Sequence, residues 1–145
     1  YYELLSLQCF SIEGMRIYSE GGEKTRFDKT KEIANFPLSR QYLHVCFKKP
    51  NNCSKCTKCM RTLLTLDALD QLDNYGDVFD LPYYRANINK YYGWLASQHA
   101  YGDDMMEPVF IEMSKRSEFK KYIRIERAKK ILRPIKRLMH KLTYS

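Results

Sequence analysis

Four of the chain's five cysteines fall within the short stretch "CFKKPNNCSKCTKCMRT", residues 46–62. Their spacing is Cys46-x6-Cys53-x2-Cys56-x2-Cys59. Two residues between cysteines let a tight turn aim both sulfurs at one point, and Cys46 returns from a preceding extended segment to complete a tetrahedron. That is the arrangement of a closed structural zinc site, in which four ligands leave no position for water or substrate. Zinc held by four thiolates carries a formal charge of −2, which Lys48, Lys49, Lys55, Lys58 and Arg61 would offset. The amino end of a helix beginning near Met60 would lower the thiolate pKa further. An iron–sulfur cluster shares the C-x2-C-x2-C start, but the x3-Cys-Pro ending is missing. A redox pair is a third reading of closely spaced cysteines, and four free structural thiols a fourth, although buried thiols have no reason to cluster. Five cysteines, four of them crowded, do not suit a disulfide framework, so a reducing, cytoplasmic setting is expected.

The rest of the chain reads as mainly helical with a small β element at the amino end, an α+β class in which the zinc knuckle joins the two parts. Leu4 to Phe10 and Met15 to Ser19, separated by "SIEG", are expected to be short strands. Thr25 followed by Asp28 is a capping-box variant that starts a helix running to about Asn35, before Pro37. "YLHVCF" reads as a short buried strand or extended segment delivering Cys46. Met60, Leu63, Leu64, Ala68, Leu69 and Leu72 mark an amphipathic helix that "DNYG" ends. Helical period continues through Tyr84, Ile88, Tyr91, Leu95 and His99, and Asp103 with Asp104 can start another short helix. Glu118 to Leu132 is expected to form a long basic helix, interrupted by Pro134 and resumed over Ile135 to Leu142.

Charge is segregated along the sequence. The net charge is +8. Lys115 to Lys141 holds twelve basic residues against Glu118 and Glu126, giving +10 and leaving −2 for everything else. Any acidic partner, nucleic acid or an anionic membrane surface, is therefore to be sought at Lys115–Lys141, set against the plain reading of a docked amphipathic helix whose basic face is simply solvated. No apolar run approaches the roughly 20 residues of a membrane span. The start, "YYELLSLQCF", lacks the charged and apolar regions of a signal peptide and reads as the middle of a longer polypeptide.

Cys46-x6-Cys53-x2-Cys56-x2-Cys59 followed by Arg61 resembles the C-terminal zinc segment of 7-cyano-7-deazaguanine synthases, which are ATP pyrophosphatases of the PP-loop type. "EKTRFDKTKEIANFPLSRQYLHVC" is similar to that family's Lys-x-Glu-Ile helix and the run into its first cysteine. "NCSKCTKCMRTLLTLDAL" resembles still more the bacterial members that carry Asn-Cys-Gly-x-Cys-x-Lys-Cys-x-Arg-Thr. The likeness covers residues 10 to 80; the later helices match nothing comparable. It implies a structural zinc near the substrate end of an enzyme that adenylates a carboxylate or similar oxygen and lets nitrogen or sulfur displace AMP. ATP and Mg²⁺ would be held by a Ser-Gly-Gly-x-Asp-Ser loop, which this sequence lacks. Its glycines, Gly14, Gly21, Gly22, Gly76, Gly93 and Gly102, sit in no phosphate-cradling setting.

These readings divide the chain at residue 80: 1–80 as the C-terminal part of a PP-loop ATPase-like domain with its knuckle, 81–145 as a helical extension. The expected function is structural zinc binding in an ATP-dependent enzyme of adenylating ligase or amidotransferase type, inactive as this chain alone, with an upstream nucleotide-binding part as partner. The alternative is a non-enzymatic zinc module that binds RNA or another polyanion through its tail. Glu23, Thr25, Arg26 and Lys29 are weak candidates for substrate or phosphate contacts, set against a plain helix start with a solvated face. His44 and His99 are expected to pack or hydrogen-bond, Cys9 to be a small buried hydrophobe, and the tyrosines of "LPYYRANINKYYGW" to face a core.

Overall fold

The computed structural model describes residues 6–19, 21–129 and 132. They are mainly α-helical: α1 (Arg26–Ala34), α2 (Ser39–Tyr42), α3 (Thr57–Ala68), α4 (Leu81–Ala86), α5 (Ile88–Tyr101) and α6 (Glu107–Ser114). Residues 120–129 are also helical, and 3-10 turns occupy Leu7–Phe10 and Leu72–Tyr75. The expected helix segments beyond Leu132, including Ile135 to Leu142, lie outside the described residues.

Among the described residues the expected β element is not formed. Leu7–Phe10 is a 3-10 turn, and the described residues hold only one isolated bridge, Ile12 to Met15. That bridge closes a tight turn in which Ile12 and Met15 exchange two backbone hydrogen bonds of 3.0 Å each. Gly14 supplies the positive φ of +84° that the turn requires. The ladder stops at once because the Ser11 hydroxyl oxygen accepts the Ile17 N–H (2.9 Å), consuming a donor that a second strand would have used. "YLHVCF" follows the other half of its expectation: residues 43–46 are extended without joining a sheet.

Helix boundaries follow side-chain chemistry. At α1, Thr25 Oγ1 accepts the Asp28 N–H (3.1 Å) while Asp28 Oδ2 accepts the Thr25 N–H (3.0 Å), the capping box read from the sequence. The amphipathic helix α3 starts at Thr57, three residues before Met60, and ends at Ala68 rather than Leu72. Its end is set by Asp70, which adopts the left-handed region at φ +55° and lets Gln71 N–H reach back to the Leu66 carbonyl (2.9 Å). The following helical stretch is two helices, not one. Asp80 caps α4 by accepting the Tyr83 N–H (2.9 Å), and Asn87 breaks the run by donating its side-chain amide to the Tyr83 carbonyl (2.9 Å). Gly102, at φ +77°, ends α5. Asp103 then accepts the Met105 N–H in a turn, so α6 begins later than the aspartates, at Glu107.

Helix α3 is the centre of the packing and meets α1, α5 and α6. Leu63, Leu64 and Leu66 from α3 share one core with Tyr84, Leu95, Met113 and Phe119, so the apolar interior runs continuously across residue 80. The tyrosines are core residues: Tyr84, Tyr91 and Tyr92 are buried, and Tyr84 meets Tyr91 edge-to-face at 4.5 Å between centroids. Among the described residues, no helix is long and apolar enough to cross a membrane.

Candidate metal centre

The site is assembled between α2 and α3 from an extended approach, a loop and a helix start. Asn52 holds the approach in place. Its Oδ1 accepts the backbone N–H groups of Val45 (2.9 Å) and Cys46 (3.2 Å), and its Nδ2 donates to the carbonyls of Leu43 (2.7 Å) and Val78 (3.0 Å). One side chain thus ties the incoming segment to the chain after α3. Ser54 makes the next turn. It is fully buried at φ +55°, accepts the Asp80 N–H through Oγ (2.9 Å), and its carbonyl accepts the Tyr91 hydroxyl. A left-handed residue here sends the chain back on itself between Cys53 and Cys56. Cys56 is then the N-cap of α3, and Cys59 lies in the helix's first turn.

The four sulfurs converge. Every pair lies within 4.8 Å; Cys46 to Cys56 and Cys53 to Cys59 are both 3.9 Å, and Cys56 to Cys59 is 3.4 Å. A single tetrahedral ion with metal–sulfur bonds of about 2.3 Å requires sulfurs roughly 3.8 Å apart, so the donor set fits one zinc. In a multi-iron cluster the four thiolates are divided between two irons or spread over four, which holds them further apart as a set than one ion does. No disulfide joins them; all are free cysteines. Cys46, Cys56 and Cys59 are buried and Cys53 is partly so, which leaves little room for a fifth ligand.

Electrostatics prepare the thiols unequally. Burial opposes ionisation of Cys46, but backbone N–H groups of Cys53, Lys48 and Lys49 outweigh it and bring the thiol down to about 6. Burial likewise opposes ionisation of Cys53, and the N–H groups of Lys55 and Cys56 reverse the balance and lower it. Cys59 goes the other way: burial first, then the neighbouring Cys56 sulfur, push it well above the ordinary thiol range. A divalent cation supplies the positive charge that lets such a buried thiol ionise.

The charge offset expected from the basic fence takes a different form. Arg61 turns instead to Asp103 (3.4 Å). Lys48, Lys49 and Lys55 serve the thiols through backbone N–H groups. The ammonium groups of Lys48 and Lys58 lie over the Phe47 ring, and that of Lys55 over Tyr83.

The remaining candidates stand apart from the metal cluster. Glu23, Thr25, Arg26 and Lys29 are exposed, and Thr25 is spent on the α1 cap. His44 donates from Nε2 to the Lys49 carbonyl (3.2 Å), while His99 stacks on Phe110 and meets Glu107 through Nδ1 (2.7 Å). Cys9 is exposed, not buried, because its 3-10 turn buries none of its residues. Sequence reasoning missed Asn52 and Ser54.

A second polar centre lies at the end of α3. Asp67 Oδ2 accepts the hydroxyls of Tyr84 (2.5 Å) and Tyr92 (3.0 Å), and Asp67 Oδ1 accepts Arg116 Nη1 (2.8 Å). Burial, and next the Asp67 carboxylate, push both tyrosine hydroxyls well above their usual range, so they remain donors. Asp67, Tyr84, Tyr92 and the Asp73–Arg85 pair line a cleft of about 330 Å³.

With this geometry in view, comparison with protein-family models, curated proteins and solved structures finds no match to the chain. The chain is a small helical protein with a four-cysteine cluster that fits a zinc ion.

Proposed function

We propose that Cys46, Cys53, Cys56 and Cys59 hold a structural zinc ion, in the C-terminal portion of a PP-loop ATP-dependent enzyme resembling 7-cyano-7-deazaguanine synthase. The observation that carries the zinc reading is the convergence of four thiols within 4.8 Å, three of them buried. A closed tetrathiolate site offers no position for an activated water, so its role is to hold the chain, not to do chemistry. The enzyme reading rests on the resemblance of residues 10–80. It is supported by the apolar surface of the amino-terminal part: Phe10, Ile12, Met15, Tyr18, Phe36 and Leu38 are each at least half exposed. Such a surface suits burial against another part of the same polypeptide. ATP and Mg²⁺ belong to that upstream nucleotide-binding part, and the setting is cytoplasmic. Glu23, Arg26 and Lys29 are then available to a substrate at the same face.

Residues 1–145 alone should bind ATP weakly and release no AMP. A polypeptide that also carries an upstream Ser-Gly-Gly-x-Asp-Ser loop should bind ATP–Mg²⁺ tightly and release AMP with its acceptor. Zinc-dependent AMP release by pure residues 1–145, or a full gene product without that loop, overturns the enzyme reading while leaving the zinc reading intact.

The second reading, polyanion binding at Lys115–Lys141, is favoured by one observation. Lys120, Lys121, Arg124, Arg127 and Lys129 are all exposed on the helical run 120–129. Saturable, salt-sensitive binding that Lys120→Glu with Lys129→Glu abolishes would support it. Unchanged binding in that variant would exclude it.

A further inference from the structure

The charge of −2 outside the basic tail conceals a second segregation. Between Glu32 and Asp67 the sequence contains no carboxylate, yet it contains Arg40, Lys48, Lys49, Lys55, Lys58 and Arg61. Arg61 is paired with Asp103. Among the described residues, no carboxylate pairs with Lys48, Lys49, Lys55 or Lys58, and all four are exposed. Four ammonium groups exceed the −2 of a zinc tetrathiolate by two charges, so the knuckle's outer surface is cationic with zinc in place. At its centre stands Phe47, 61% exposed, although Cys46 beside it is buried. Lys48 Nζ and Lys58 Nζ lie 5.7 and 5.4 Å from the Phe47 ring centroid.

An exposed aromatic ring with two ammonium groups resting over it, neither paired with a carboxylate, fits one kind of ligand well: a base can take the ring as the ammonium groups turn outward to its phosphates. A single-stranded nucleic acid presents unstacked bases, each between two phosphates; the ring meets the base and the flanking ammonium groups meet the phosphates. A purely phosphate polymer would use the lysines and leave the phenylalanine idle. Duplex bases are already stacked on one another and have no face to offer.

We propose that the outer surface of the zinc knuckle, Phe47 with Lys48, Lys49, Lys55 and Lys58, binds single-stranded nucleic acid by base stacking and phosphate contact. The proposal rests on the zinc reading for the shape of the knuckle, and it is independent of the enzyme reading and of the Lys115–Lys141 tail. Zinc organises the loop from beneath, through buried sulfurs and backbone N–H groups, so the ends of Lys48, Lys55 and Lys58, held only by contacts with the Phe47 and Tyr83 rings, can turn to phosphate.

The test is a binding titration of the full 145-residue chain with labelled oligo-dU and oligo-U, a duplex of equal length, an abasic oligomer and polyphosphate. Zinc content is measured for every variant. The single strands should bind best, with log affinity falling against log salt at a slope of about −3 if four lysines each neutralise a phosphate. Phe47→Ala should weaken single-strand binding about ten-fold and leave abasic oligomer and polyphosphate unchanged. Lys48→Glu with Lys55→Glu and Lys58→Glu should abolish binding with zinc retained, and Lys120→Glu with Lys129→Glu should not. Oligo-U and oligo-dU differ only in the 2′-hydroxyl, so a preference for oligo-U would identify RNA as the ligand, and equal binding would identify any single strand. The proposal fails if zinc-loaded protein shows no saturable binding at low salt, binds duplex or polyphosphate as tightly, or is indifferent to Phe47→Ala. Loss of zinc from the wild-type chain would instead indict the metal reading.

Discussion

The two ends of α3 are ordered by different physics. At its amino end, the buried residues between positions 43 and 59 are Cys46, Ser54, Cys56 and Cys59; no aliphatic or aromatic side chain there is fully buried. At its carboxyl end, Asp67 is enclosed by Tyr84, Tyr92 and Arg116, with Phe119 and Tyr122 packed edge-on against Tyr92. The first region has only partly buried apolar side chains, Leu43 and Val45, with which to offset the entropy of fixing a loop of exposed lysines, so four metal bonds must supply most of the order. The second needs no ion, because rings and a hydrogen-bonded carboxylate supply it. Order at the first end is therefore removable by chelator or acid; at the second it is not.

The largest break in this contrast should come from the metal itself. Cys56→Ser should lose zinc and remove about 5 kcal/mol or more of the roughly 10–16 kcal/mol that a structural zinc contributes. Amide exchange should rise over residues 43–60 and stay slow around Tyr84 and Tyr92. Protection lost equally at both ends would refute the division.

Acid should act on the same end. Zinc ligation needs four thiolates, so protons compete with the metal, and zinc should be released as pH falls, with amide protection lost over residues 43–60 and kept around Tyr84 and Tyr92. Zinc release that leaves residues 43–60 as protected as before would contradict metal-supplied order.

Asp67→Ala probes the other end. It leaves the Arg116 guanidinium, which is only 23% exposed in its side chain, with the exposed Asp70 as its one remaining carboxylate partner among the described residues, and both tyrosine hydroxyls without that acceptor. A loss of about 3 kcal/mol in denaturant unfolding is expected, with zinc content unchanged. Zinc loss in this variant would mean that the two ends of α3 are one cooperative unit.

Asn52→Ala tests how far the knuckle depends on support behind its ligands. Four hydrogen bonds disappear, and the approach to Cys46 is freed. About 2 kcal/mol of stability and at least about ten-fold in zinc affinity should be lost. Unaltered zinc affinity would restrict Asn52 to a purely structural role.

The smallest effect is expected at Ser54→Gly. Glycine relieves the left-handed backbone, worth about 1 kcal/mol, but gives up the Asp80 N–H bond, worth about as much. Stability should move by less than about 1 kcal/mol in either direction. A larger loss would show that the hydrogen bond from Asp80 to the Ser54 hydroxyl outweighs the backbone relief.

How much of this could be read beforehand follows the same division. The four-cysteine cluster was legible because cysteine has few reasons to cluster and because the spacing encodes the turns. The α1 capping box and the core tyrosines were legible because each depends on near neighbours or on helical period. The strands were not: an apolar run such as Leu4 to Phe10 fits a turn as well as a strand, and only the Ser11 hydroxyl taking the Ile17 N–H decides against a ladder. The end of α3 at Asp70 and the break at Asn87 were hidden too, since both depend on single residues whose neighbours continue the helical pattern. Asn52 was beyond reach, because its partner Val78 is distant in sequence. The backbone N–H groups of Lys48, Lys49 and Lys55 that stabilise the thiolates were hidden for a related reason: a pattern of side-chain charges does not show them.

The most direct test of the knuckle is elemental analysis joined to zinc-edge X-ray absorption on the whole chain, purified without chelator. One zinc per chain with four sulfur neighbours at about 2.3 Å, and no oxygen or nitrogen among them, is the expected result. Iron in place of zinc, little metal at all, or a light-atom ligand replacing a sulfur would contradict a closed structural site at Cys46, Cys53, Cys56 and Cys59.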